Sequence, residues 1–250
     1  MQLMKENTMG QCFTLANLDR KEIIPSYNKL LEDMGYPTSI VEDLEILLLD
    51  SEAINLLKSK NITLDPKAGT WAHNRIMYVG GYAETLEFCD AKDLELARRY
   101  VEEEDPEIPP EEIEECLCLS TAIQGYAEVD GIKHSFLHQV GYSWESQEPG
   151  NDYYLINHDK GEYLSLLSYA KRVIDYLEKQ LQLTDPYHNI IYPLLILTLH
   201  IALAEEINDA AYLGAWKGQR ISISLAKPDN MQEITPLFYL KNSELYAPAW

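Results

Sequence analysis

Positive charge is scarce in this sequence. Twenty Lys and Arg residues stand against forty-one Asp and Glu, a formal net charge of −21. Such a field repels phosphate backbones and anionic lipid headgroups, and no local basic patch offsets it. No nucleic-acid or membrane partner is therefore expected. Long apolar runs are also lacking. The longest, IIYPLLILTLHIALA at 190–204, is too short to cross a bilayer and carries Pro193 and His200, so it reads as a buried helix. Cysteine is limited to Cys12, Cys89, Cys116 and Cys118. The polar stretch MQLMKENT lacks the apolar core of a secretory signal, so reduced thiols in a cytoplasmic protein are expected. MGQCFT, from Met9, fits a myristoylation pattern, but Gly10 is not N-terminal in this chain, and no lipid anchor is expected. GxGxxG, P-loop, GxSxG and HExxH signatures are absent, and no cofactor is expected.

What is present is a hydrophobic fraction of 46%, enough to build a core in a chain of 250 residues, and a phrase written twice. CFTLANLDRKE (12–22) returns as DYYLINHDKGE (152–162). Leu15 aligns with Leu155, Asn17 with Asn157, Asp19 with Asp159, Arg20 with Lys160, and Glu22 with Glu162. A second match, G-x-W-x-x-x-R-I, pairs GTWAHNRI (69–76) with GAWKGQRI (214–221). Asp19 lies 52 residues before Trp71, and Asp159 lies 57 before Trp216. The expectation is an α+β fold with an internal duplication of a hairpin-helix-helix-strand unit. The first copy spans 10–90, an acidic helical bridge spans 91–130, and the second copy spans 131–250, all packed as one compact unit about a pseudo-twofold axis.

Hydrophobic periodicity fills in each copy. CFTLAN alternates as a strand, with Pro25 limiting the returning one. SYNKLLEDMGYPTS reads as a short helix, SIVEDLEILLLDSEAINLLKSK as a serine-capped helix, and TWAHNRIMYVGGY as a strand. In the bridge, DAKDLELARRYVEEED is a helix capped by Asp90, and a second helix runs from Pro109–Pro110 to Gly125. Residues 101–115 hold nine acids and no base. In the second copy, KHSFLHQVGYSWES is strand-like, LSYAKRVIDYLEKQLQL and 190–204 are helices, GQRISISLA is an alternating strand, and PLFYL is another.

The motifs MGQCFTLANLDRKE and GTWAHNRIMYVGGYAE together resemble a group of uncharacterised proteins that share an N-x-D-K-x-E strand-turn and a later W-x-G-x-R-I followed by G-D-Y. The likeness covers the first third of the chain well and the second copy loosely. Gly81 stands where that pattern has Asp. The resemblance implies that the motifs act as a unit, and it carries no activity.

Three constellations are candidates for chemistry. In the repeated phrase, an Asp and a Glu three residues apart suit acid–base work, but Asn and Asp also make side-chain-to-backbone turns, and Gly161 suits a left-handed position. On the hairpin reading, Lys21→Gly should stabilise the protein and Gly161→Lys should destabilise it. Trp71 with Arg75, and Trp216 with Arg220, are spaced for a stacked pair on one strand face, clamped to the turn carboxylates Asp19, Glu22, Asp159 and Glu162 or open to an anion. Cys116 and Cys118 with His134 and His138 look zinc-like, yet two cysteines so spaced on one helix diverge, and no metal is expected. The leading expectation is a non-enzymatic, acidic interaction protein of the inhibitor or immunity kind that meets a basic partner. The alternative is an enzyme or small-molecule binder using Arg75 and Arg220 with nearby carboxylates between the copies.

Overall fold

The computed structural model describes residues 12–29, 39–81, 83–132, 152–179, 182, 197, 200–203, 214–235, 239–241 and 244–246. Within them the fold is α+β. Strands β1 (Cys12–Asn17) and β2 (Glu22–Lys29) form an antiparallel hairpin, and helices α1 (Ser39–Leu48) and α2 (Ser51–Ser59) follow. Strand β3 (Asn74–Gly80) closes the first segment. Helices α3 (Ala91–Glu104), α4 (Pro110–Cys116) and α5 (Leu119–Gln124) then lead to a two-residue strand, β4 (Ala127–Glu128). The second segment runs β5 (Tyr154–Asn157), β6 (Glu162–Ser165), α6 (Leu166–Lys179), β7 (Ala202–Leu203), β8 (Gln219–Ser224) and β9 (Gln232–Glu233). A separate hairpin pairs β10 (Tyr239–Lys241) with β11 (Glu244–Tyr246).

One mixed sheet carries the described strands in the order β4-β2-β1-β3-β8-β5-β6-β9, with β7 beside β3. From its centre outward the order is the same in both directions: the Arg-bearing strand, the two hairpin strands, and a short parallel edge strand. The centre is the antiparallel β3–β8 pair, in which Arg75 faces Arg220. Joining the two edges there hides a row of backbone groups that either half alone would expose. Smaller bonds repeat in step. Trp71 N donates to Leu47 O at 2.9 Å, and Trp216 N to His200 O at 2.8 Å. Ala127 N donates to Lys21 O at 2.9 Å, and Gln232 N to Gly161 O at 2.8 Å.

The two sheet faces are covered differently. Leu15, Ile24, Ile76, Tyr78, Leu155, Leu164, Ile221 and Ile223 share one face and pack on α1, α2 and α6 in the main core, which also takes in Trp71 and Trp216. On the other face, Ala16, Leu18, Ile23, Met77 and Val79 of the first segment meet Leu96 of α3 and Leu119 and Ile123 of α5. The bridge thus roofs the first hairpin, with a small core of its own around Ala97, Val101 and Ile113.

Several sequence expectations change. The returning strand does not stop at Pro25. It runs to Lys29, absorbing Pro25 at an irregular register between Cys12 and Thr14, so the helix expected from Ser26 does not start there. The long helix from Ser39 breaks after Leu48, because Leu49 bridges to Ile223 and Asp50 caps a new helix by accepting from Ala53 N at 2.7 Å. The bridge helix from Pro110 also breaks, so Cys116 ends α4 while Cys118 caps α5. Trp71 sits in a turn ahead of β3 rather than on it. The strand expected over KHSFLHQVGYSWES, and most of the helix expected over 190–204, lie outside the described residues.

Candidate functional site

The repeated phrase builds the same turn twice. Asn17 Oδ1 accepts from Asp19 N (3.1 Å) and Arg20 N (3.0 Å), and Asn157 Oδ1 accepts from Asp159 N and Lys160 N at the same distances. Both asparagines are fully buried, so a missing Oδ1 would leave turn amides unpaired. Each turn ends in a left-handed residue, Lys21 at φ 56° and Gly161 at φ 65°. The Asp carboxylates then reach across to the arginine strands. Asp19 Oδ2 accepts from Arg75 N (2.8 Å) and Oδ1 from Arg75 Nε (2.7 Å), and Asp159 binds Arg220 with the same two bonds at the same distances. Each Glu takes an indole instead. Trp71 Nε1 donates to Glu22 at 2.7 Å, and Trp216 Nε1 to Glu162 at 3.1 Å.

The candidate residues are therefore brought together: each arginine is clamped to a turn carboxylate, but the expected Trp–Arg stacks do not form. Both tryptophans are completely buried, with their N–H groups spent on Glu22 and Glu162, so neither offers a face to a ligand or stacks on its arginine from a shared strand. Burial pulls the Glu22 carboxyl upward, but hydrogen bonds from Arg20 and Trp71 outweigh it and hold Glu22 below its usual range. At Asp159, burial is likewise outweighed by the side-chain and backbone bonds from Arg220, and its carboxyl is also lowered. Carboxylates held ionised by such clamps are poor proton shuttles near neutral pH. His134 and His138 lie outside the described residues. Among the described residues, no group of three or more His, Cys, Asp or Glu side chains is placed to hold a metal.

Two clusters escaped the sequence reading. The first fastens the bridge to the first turn. Lys21 Nζ, nearly buried, lies 2.7 Å from Asp93 Oδ2 and 2.9 Å from Asp90 Oδ2. Asp93, fully buried, also accepts from Tyr126 Oη and from Asp90 N. Burial, then the field of Asp93, pushes the neighbouring Cys89 thiol up to about 11, which keeps it protonated and unreactive. The second cluster lies on the same sheet face in the other half. The His73 and His158 rings stand 4.3 Å apart, centroid to centroid, and His158 Nε2 is 2.8 Å from Ser222 Oγ. Register matches these residues to Gly218, Leu18 and Met77 of the opposite half. The signal was in the alignment, at positions where the two segments differ in chemical type.

Set against family models, curated proteins and solved structures, the chain matches none. The site has to be understood from its own geometry.

The histidine pair makes one such property testable. Burial first, then the fields of His73 and Arg220, lower the His158 pKa below 6.5, against opposing pulls from Asp159 and Asp50. The folded state thus binds this proton less readily than the unfolded chain. Its contribution is complete above the unfolded pKa of about 6.5 and is lost as pH falls below that value through the lower folded pKa. Urea midpoints measured from pH 8 to pH 5 should fall, and His158→Leu, which copies Leu18, should flatten that slope. An unaltered slope in the variant would remove His158 as a cause.

Proposed function

We propose that this chain is a non-enzymatic interaction protein, of the inhibitor or immunity kind, whose acidic surface meets a basic partner. One observation carries the reading: the acids of the repeated phrase and the glutamates of the bridge are placed differently. Those of the repeated phrase are committed to turns and clamps, as described above. Apart from the buried Asp93, the bridge turns its acids outward, with Glu102, Glu103, Glu104, Glu107, Glu111, Glu112, Glu114 and Glu115 all exposed. Among the described residues, Glu114 meets Arg98, and that ion pair offsets little of the cluster. A surface of one sign steers an opposite partner and accelerates encounter more than it deepens affinity.

Neutralising Glu102, Glu103, Glu104, Glu111, Glu112 and Glu115 to Gln tests this. The basic partner recovered from the native cell should associate with the variant about tenfold more slowly at low salt, with a flatter dependence on ionic strength. Thermal melting should barely move, because all six side chains are exposed. A partner whose on-rate ignores both salt and these substitutions would exclude the bridge as its docking face.

A further inference from the structure

The seam of the sheet holds two cations in a place where one would not be put without reason. Arg75 and Arg220 are direct cross-strand partners. Their backbone N–H groups go to Asp19 and Asp159, and their carbonyls accept from Leu18 N and His158 N. They therefore form a pair that exchanges no backbone hydrogen bonds, the kind in which side chains approach most closely, with Cβ atoms about 5 Å apart. Like charges so placed repel. Both remain accessible, at 36% for Arg75 and 57% for Arg220. Asp19 and Asp159 relieve part of the repulsion, but each has both oxygens engaged by its own arginine. Asp19 grips Arg75 by the Nε edge, and among the described residues the Nη donors of Arg75 make no hydrogen bond.

The surroundings of the pair differ on its two sides. Toward the first hairpin the face is apolar: Leu18 and Met77 are buried, and Phe88 stands against Gly218. Toward the second hairpin the matching positions are His158, Ser222 and His73, with His158 touching both of the others. At the three matched positions the first side carries Leu18, Met77 and Gly218 where the second carries His158, Ser222 and His73, and His158 N donates to Arg220 O. A turn clamp alone does not require this, since the Asp19–Arg75 clamp forms beside Leu18, Met77 and Gly218.

We propose that the seam binds an oxyanion, a phosphate or carboxylate group held between the guanidinium ends of Arg75 and Arg220 with the His73–His158 pair at its side. Guanidinium forks match the spacing of oxyanion oxygens, and the two Asp clamps fix both arginines in advance, so little side-chain freedom is lost on binding. Asp19 and Asp159 balance the two charges, Asp159 also meeting Arg220 Nη2, so the bound anion takes up the guanidinium donors that the clamps leave over. The site goes beyond the acidic docking face and is indifferent to whether that face is used.

The full-length protein titrated with inorganic phosphate, and separately with acetate, at constant ionic strength tests the site by calorimetry and by the NMR signals of the arginine Nε–H and histidine ring groups. Saturable binding of one equivalent is expected, with Arg75, Arg220, His73 and His158 signals moving. A preference for phosphate or for acetate distinguishes the two sources of the oxyanion. Arg220→Gln should weaken binding by about tenfold or more, Arg220→Lys should be intermediate because charge survives without the fork, and Lys227→Gln should bind as wild type. Circular dichroism and melting of each variant separate lost binding from lost folding. Absence of saturable binding for both anions, or equal affinity in a folded Arg220→Gln, overturns the proposal.

Discussion

Lys21→Gly is expected to destabilise the protein by about 2–4 kcal/mol, the reverse of what the turn alone implies. Relieving a left-handed non-glycine residue would gain about 1 kcal/mol. The ammonium lost in the exchange is nearly buried against the fully buried Asp93. Removing one partner of such a pair costs about 3–5 kcal/mol, because the other charge is left stranded. The second turn behaves differently. A Cβ at Gly161 meets nothing within 4 Å, so Gly161→Lys should cost only the backbone strain, about 1–2 kcal/mol. For a chain of this length the Lys21 loss corresponds to a melting point lower by about 4–16 °C. Adding Asp93→Asn to Lys21→Met should recover part of the loss, giving a coupling of about 1–3 kcal/mol in a double-mutant cycle. Purely additive effects would mean that the ion pair does not fasten the bridge.

Gly218→Ala should lower stability by about 2–5 kcal/mol. The residue sits at φ +66°, and an added Cβ would lie 2.7 Å from Phe88 Cδ1, 2.8 Å from Cε1 and 3.0 Å from Met77 Cε. Backbone strain of about 1–2 kcal/mol adds to an overpacking cost of about 1–3 kcal/mol. Its counterpart, His73, already carries a side chain at φ 63°, because its half of the face has no Phe88 against it. His73→Gly should therefore change stability by less than about 1 kcal/mol, the relief of strain offsetting the lost ring contact. Chemical denaturation of both variants decides the comparison. Equal effects would mean that the two halves of this face are covered alike.

Local chemistry made the turns legible in advance. Asn17 and Asn157 carry a short side chain whose oxygen satisfies two following turn amides, and Gly161 marked the left-handed position. The alternating strands around them, the Asp90 cap and the α+β class follow from the same short-range rules, which act within a few residues and leave their pattern in the sequence. Local pattern also misled. Ser39 to Ser59 has helical periodicity throughout, yet the chain breaks at Leu49 and Asp50, because β8 offers a bridge at Ile223 that periodicity cannot register.

The repeat itself, and the pairing of Asp19 with Asp159 and Trp71 with Trp216, are properties of the sequence. Which groups those residues touch was decided in three dimensions. Trp71 pairs with Glu22, and Arg75 with Asp19, across separations of 49 and 56 residues. The meeting of Arg75 with Arg220 depends on the edge-to-edge joining of two segments, and no spacing along the chain encodes it. Roofing by the bridge distinguishes the halves: it buries Lys21 against Asp93 and Leu18 against α3 and α5, while the opposite half keeps Gly161 and His158. The same turn bonds follow from the Asn and Asp that the two local sequences share, but burial, charge pairing and access depend on which distant surface arrives. For that reason the turns could be read residue by residue, and the seam between them only from the folded chain.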